Sequence, residues 1–215
     1  MKTLKLLSLL FLMTTLFISC SKDDFVSDSL QEADNFVEDN PYFNYTIGEG
    51  PFVYFDDLIF KEILLINSDI NTNKDNEISF EEATSYNGAI DVSFNNIESL
   101  TGIEKFTNII ALNCENNNID TLNFNNNLNL KYLNCGNNPF HEINLKQNNK
   151  LENLDIRTTN ISTLDLSGNV NLVAIRGMCN SNLKTVNLRN NNNAKILVFF
   201  FNLNNTNLEC VQSVK

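Results

Sequence analysis

The chain has 215 residues, 26 of them acidic and 15 basic, for a formal net charge of −11 at pH 7. So acidic a total argues against nucleic acid as a partner, because phosphate binding rests on surplus Lys and Arg. Five Cys, one His and no C-x-x-C spacing leave little from which to build a Cys/His metal centre.

Residues 1–19 read as a signal peptide: Lys2 and Lys5 make a basic start, and Leu6 to Ile18 is an apolar run too short to span a bilayer. Phe17-Ile18-Ser19-Cys20 resembles a bacterial lipobox, with Phe17 where Leu is usual, which implies lipidation of Cys20. An ordinary cleaved signal beside an unrelated Cys is the other reading. Ser21-Lys22-Asp23-Asp24 resembles the surface-export signal of Bacteroidota lipoproteins. The location this implies is the cell-surface side of the outer membrane, held by acyl chains on one residue.

Residues 20–50 are an acidic linker without apolar period, expected to be flexible and self-repelling. The charge is uneven: residues 20–104 carry 19 acids against 3 Lys, a net −16, and residues 105–215 carry 7 acids against 10 Lys and Arg, a net +3.

Residues 51–87 read as a helical N-terminal cap. Asp56 or Asp57 is placed to accept from free amides at a helix start. Ile59, Phe60, Ile63, Leu64 and Ile66 are expected on one apolar face that covers the open end of the repeats. Asn71 to Glu82 resembles an EF-hand or dockerin-type calcium loop. The resemblance implies one structural calcium ion, with Asn71, Asn73, Asp75, the Glu77 carbonyl, Ser79 and Glu82 as ligands. Asn71 stands where Asp is usual, and Asn76 where Gly is usual. Ser79 and Glu82 also spell a capping box, S-x-x-E, and both readings can hold together.

Residues 88–204 repeat one phrase. Its second apolar anchor falls at Leu112, Leu133, Leu154 and Ile175, each step 21 residues, with Ile90 and Leu197 near the ends. The consensus L-x-x-L-x-(C/I)-x-x-N-x-I has the period of leucine-rich repeats. Each coil is too small to bury its own apolar side and stacks on its neighbours. Asn117, Asn138, Asn180 and Asn202 are expected to form a ladder that satisfies buried backbone groups, and Thr159 interrupts it. Leu122-Phe124-Asn127, Ile143-Leu145-Asn148, Leu164-Leu166-Asn169 and Val186-Leu188-Asn191 echo the phrase half a unit later. No helical period lies between, so strand and turn are expected on both sides.

This nesting resembles the IRREKO-type, internalin-like leucine-rich repeats of bacterial surface proteins. The cap, the calcium-like loop and Leu100-Thr101-Gly102-Ile103-Glu104 are similar to the same parts of many Bacteroidota surface repeat proteins. The fold class is therefore a β-rich leucine-rich repeat solenoid of about five to six coils with a short α-helical N-terminal cap. Residues 205–215, with Asn207-Leu208-Glu209-Cys210-Val211, resemble the start of a C-terminal cap. The run Lys195 to Phe201 is apolar on both alternating sets, so its outward Val198 and Phe200 call for cover.

Cys114 and Cys135 fall on one inward rung of successive coils and read as buried thiols, with a disulfide as the alternative. His141 stands in a turn. The sequence holds no nucleophile elbow, phosphate loop or H-E-x-x-H, so no enzyme activity is expected. Binding is expected at the concave strand face, through Tyr132, Asn134, Asn153, Asp155, Arg157, Arg176 and Met178. Against this stands the plain reading that polar residues on a solvent face are ordinary, and that Asp155 and Arg176 form a cross-strand pair. The function that follows is a surface lipoprotein that binds another macromolecule, foremost a protein; a glycan-binding lipoprotein and a structural or decoy component are the alternatives.

Overall fold

A computed structural model describes residues 51–190, 198–200, 207–208 and 210–213. The segments read as signal peptide and acidic linker, with Cys20, and the residues Asn191 and Asn202 lie outside the described residues. Nine short strands follow one another among those described: β1 Ala89–Asp91, β2 Ala111–Asn113, β3 Tyr132–Asn134, β4 Asn153–Asp155, β5 Thr163–Asp165, β6 Ala174–Arg176, β7 Thr185–Leu188, β8 Val198–Phe200 and β9 Cys210–Ser213. They make a six-stranded sheet, β1-β2-β3-β4-β6-β8, and a three-stranded sheet, β5-β7-β9.

Every pairing between these described strands is parallel. Parallel neighbours cannot be joined by a hairpin, so each step along the main sheet takes a full coil of chain. The register puts like on like: Ile90, Leu112, Leu133, Leu154, Ile175 and Phe199 are successive partners. The chain is thus a leucine-rich repeat solenoid. Its interior is a single cluster in which Phe106, Phe124 and Phe140 are the largest fully buried side chains of the repeats. Leu133 is 2% exposed, so Leu133→Ala costs about 2–5 kcal/mol.

The asparagines of the main sheet join neighbouring coils. Asn117 donates from Nδ2 to the Val92 and Cys114 carbonyls and accepts the N–H of Asn95 and Ile97 on Oδ1. Asn138 does the same between Cys114, Cys135 and Ile119, and Asn180 between Ile156, Gly177 and Thr159. A second ladder runs half a coil later. Asn127, Asn148 and Asn169 each donate to two backbone carbonyls, while their buried Oδ1 atoms accept nothing. The sequence puts the next rung at Asn191, but Asn190 fills it, buried and donating to the Asn169 carbonyl. The reason is a turn one residue tighter after β7, closed by Asn190 N–H donating to Leu188 O.

The second side is strand only from β5 onward; residues 121–123 and 142–144 run without ladder pairing. Where the sequence resembles the start of a C-terminal cap, β9 adds one more rung, Thr185 to Cys210 through Leu188 to Ser213.

The cap holds α1, Leu58–Ile66, and α2, Phe80–Ser85. Asp57 caps α1, accepting the N–H of Ile59 and Phe60 on Oδ1. Its Oδ2 takes the Glu98 N–H at 2.7 Å, and Asp56 accepts from Thr101 Oγ1 at 2.7 Å, so the pair ties cap to first coil. Only Phe60 and Leu64 of α1 are buried, while Ile59 is 44% and Ile66 84% exposed. The 3.6-residue period sets Phe60 and Leu64 on the buried stripe with Ile63 and Leu65 packed partly beside it; Ile59 and Ile66 fall outside it. Gly102, at φ 106°, turns the chain into a 3-10 turn at Ile103–Lys105. A Cβ there would meet the Phe55 ring at 2.7 Å.

The outer face of the main sheet as a candidate binding surface

Strand alternation sends two residues of each main-sheet strand outward. The first of these are Ala89, Ala111, Tyr132, Asn153 and Ala174; the second are Asp91, Asn113, Asn134, Asp155 and Arg176. The second set has a repeated local role. Asp91, Asn113, Asn134 and Asp155 each accept on Oδ1 the N–H two residues ahead, at 3.0–3.2 Å. Such Asx turns end the strand and set the direction of the next segment. Asn123, Asn144, Asp165 and Asn187 do the same on the opposite side. The Asp and Asn types at these positions therefore serve the coil first.

A charged network lies behind this row. Arg157 Nε donates to Asp155 Oδ1 and Oδ2 at 2.8 and 2.9 Å, and its Nη2 lies 3.4 Å from Glu115. Glu115 also accepts from Asn134 at 2.8 Å and Asn137 at 3.1 Å. The hydrogen bond to Asp155 holds the Arg157 guanidinium above its usual range. The plain alternative, a cross-strand pair of Asp155 with Arg176, gives way to this one. Residues two apart on a strand share a face, and Arg157 folds back over its own strand end to reach a carboxylate that is 6% exposed.

The predicted residues therefore separate. Asn134, Asp155 and Arg157 belong to the internal network. Tyr132 stands 46% exposed, its hydroxyl 3.4 Å from Glu152. Asn153 and Met178 are half-buried and Arg176 is exposed. Between them a hollow of about 410 Å³ runs from Asp91 past Tyr132 to Arg176. Glu115 and Gly136 complete the network; their signal in the sequence is a Gly at an outward strand position, with an acid one coil before it and an Arg one coil after.

The calcium-like loop is bonded within itself. Glu82 Oε1 accepts from Thr72 N, Thr72 Oγ1 and Asn73 N, and Oε2 from Ser79 N and Oγ. Ser79 and Glu82 form the capping box of α2. Burial raises the Glu82 carboxyl, and the Ser79, Asn73 and Thr72 hydrogen bonds outweigh it, so the net direction is down. Asn73 and Asp75 make Asx turns, and Glu77 pairs with Lys61 at 2.7 Å. Asn71 donates to the Leu65 and Asp75 carbonyls, while its Oδ1 is buried and unbonded. Among the described residues no three of His, Cys, Asp and Glu gather as a metal cluster, so a cation here would draw on amide and carbonyl oxygens as well. Cys114 and Cys135 are buried thiols, His141 is exposed, and Cys179 and Cys210 are exposed.

No protein-family model matches the chain, and no curated protein matches it. Solved structures resemble it at the level of fold. An internalin, inlF, from Listeria monocytogenes aligns at 20% identity and TM-score 0.49 over 74% of this chain and 51% of that one. The functional domain of InlJ from Listeria monocytogenes, described as including a cysteine ladder, aligns at 20% identity and TM-score 0.47, covering 72% and 46%. Internalin C2 of the same organism aligns at 20% and TM-score 0.40, covering 59% and 51%. The chain spans about half the length of these structures.

Proposed function

We propose that this chain is a surface-displayed lipoprotein whose repeat domain binds a protein partner on the outer face of the main sheet. The observation that carries the reading is Tyr132: an exposed aromatic at the middle of a sheet face, flanked in its row by Ala111 and half-buried Asn153, beside a hollow. Exposed Tyr with small neighbours is the residue type that concentrates binding energy at interfaces. A glycan platform would call for a series of aromatics, and Tyr132 stands alone in its row through β6. The test is capture by the immobilised full chain of secreted proteins and, in parallel, of arrayed glycans. Protein capture lost in Tyr132→Ala supports the reading, and capture of glycans alone sinks it.

The anchor rests on Lys2, Lys5, the apolar run and Phe17-Ile18-Ser19-Cys20. Acyl chains on Cys20 would hold the protein at the outer membrane, with residues 21–50 as tether. Metabolic labelling with a fatty-acid analogue should mark the wild type and not Cys20→Ala. Protease treatment of intact cells should remove the repeat domain; full protection would overturn surface display.

For the loop we propose one structural calcium ion held by Asn71, Asn73, Asp75, the Glu77 carbonyl, Ser79 and Glu82. The buried, unbonded Asn71 Oδ1 supports it, since buried acceptors ordinarily find a donor or a cation. An ion there would tie α1 to α2. Calcium should raise the melting midpoint over that in chelator, and an unchanged midpoint refutes the site.

A further inference from the structure

Arg176 departs from the rule of its row. Asp91, Asn113, Asn134 and Asp155 all give an acceptor to the strand end, and an arginine has none to give. Its neighbour in register is Asp155, but both oxygens of that carboxylate are engaged by Arg157. Among the described residues Arg176 takes part in none of the ion pairs, although Arg157 and Lys131 on the same sheet are both paired. Arg176 is an exposed cation at one end of the hollow, with Tyr132 two strands away along its wall.

We infer that Arg176 is the specificity residue of this face, and that it recognises a carboxylate on an extended acidic segment of a protein partner. The inference rests on the protein-binding reading given above. A planar guanidinium fork presents paired N–H donors that match a carboxylate in two parallel hydrogen bonds. Strands lie about 4.8 Å apart, so Tyr132 and Arg176 stand roughly 10 Å apart along the stack, the length of about three extended residues. The favoured segment carries Asp or Glu at Arg176 and an apolar or aromatic side chain about three residues away against Tyr132. Asp91, at the far end of the hollow, repels a second acid and so gives the segment a direction.

The test pans a displayed library of random dodecapeptides on the full-length protein. Enriched peptides are then measured by fluorescence polarisation on the wild type, Arg176→Gln, Arg176→Glu and Tyr132→Ala. Circular dichroism and melting show that each variant folds. Expected are peptides rich in Asp and Glu whose Kd rises at least about tenfold in Arg176→Gln, while Arg176→Glu selects basic peptides instead. Enriched peptides that are not acidic, or that bind Arg176→Gln as well as the wild type, overturn the role of Arg176 and leave the protein-binding reading standing. A heparin oligosaccharide that binds through Arg176 where no acidic peptide does overturns the carboxylate assignment. If nothing enriched is weakened by Tyr132→Ala either, the face is not the binding surface and both readings fall.

Discussion

Arg157 and Glu115, on coils two apart, meet at 3.4 Å across Gly136. A Cβ on Gly136 would lie 3.1 Å from the Arg157 carbonyl oxygen and 3.4 Å from Asp155 Oδ1, so the missing side chain is what leaves the crossing open. The side chain of Asp155 is 8% exposed, and among the described residues Arg157 is the cation paired with it. Arg157→Ala should therefore cost about 2–4 kcal/mol, most of it from leaving that carboxylate buried without its partner. Gly136→Ala should cost about 1 kcal/mol through a shift of the Arg157 backbone. Urea unfolding checks both, with a lower midpoint and unchanged slope. A midpoint for Arg157→Ala equal to that of the wild type would show the network to be ornamental.

Thr159 supplies less than an asparagine at its rung. Its Oγ1 meets the Ile156 carbonyl at 3.4 Å and donates to Asn180 Oδ1 at 2.9 Å, and no hydrogen bond joins it to the coil before. Asn138 reaches the preceding coil through the Cys114 carbonyl and the Ile119 N–H. The equivalent groups for residue 159 are the Cys135 carbonyl and the Phe140 N–H. Thr159→Asn should add both bonds and raise stability by about 1–2 kcal/mol. A drop in melting midpoint would mean that the slot is too narrow for the amide.

The coil was legible in the sequence because a parallel stack repeats its register: an anchor at Leu112 dictates Leu133 and Leu154 one coil on. Side-chain partnership was not. Asp155 has one potential partner across the strand, Arg176, and one on its own strand end, Arg157, and periodicity cannot rank two distances of similar size. Asn190 in place of Asn191 has the same origin, since a turn tightened by one residue leaves the composition of an Asn-rich stretch unchanged. Ile59 and Ile66 were misplaced because a nine-residue helix packed along one narrow stripe leaves most of its circumference outside, however apolar.

The left-handed position before each ladder residue is occupied by Phe94, Asn116, Asn137, Thr158 and Cys179, with φ between 53 and 62°. Asparagine tolerates that conformation, whereas a β-branched or aromatic side chain is crowded by the following carbonyl. Thr158→Asn and Phe94→Asn should each stabilise by about 0.5–1 kcal/mol. Phe94 is 71% exposed, so little packing is lost with it. Destabilisation of Phe94→Asn in thermal melts would indicate that the ring is held by contacts in solution.

Burial pushes the Cys114 thiol up to about 12 and moves Cys135 upward as well. The thiolate is the nucleophile in alkylation, so both should be inert to iodoacetamide at pH 8 while the chain is folded. Cys179 and Cys210, both exposed, should be modified first. Peptide mapping by mass spectrometry should find Cys114 and Cys135 labelled only at the rate of unfolding. Early labelling of Cys114 would contradict the closed core.

Asp165 gives the solenoid an acid-sensitive rung on its second side. Ser167 donates to its carboxylate, as does Asn187 Nδ2 at 3.0 Å from the next coil, and Lys146 lies 3.3 Å away on the previous one. The Ser167 hydrogen bonds, aided by Lys146 and only partly offset by burial, hold the carboxyl below its usual range. A carboxyl whose folded value is depressed binds its proton more readily in the unfolded chain. Its contribution is therefore complete above the unfolded value, about 3.9, and is lost as pH falls through the folded value. Because the Lys146 and Asp165 side chains are 64% and 39% exposed, the ionic part is at most about 0.5 kcal/mol. Asp165→Asn keeps the Oδ1 acceptor for the Ser167 and Asn187 donors and removes the charge, together with the oxygen that faces Lys146. It should unfold at slightly lower urea than the wild type at pH 7, and the gap should close as pH falls below about 4. High salt at pH 7 should narrow the same gap, because exposed charges are screened. A gap that does not narrow in acid would show that Asp165 acts through shape and not through its charge.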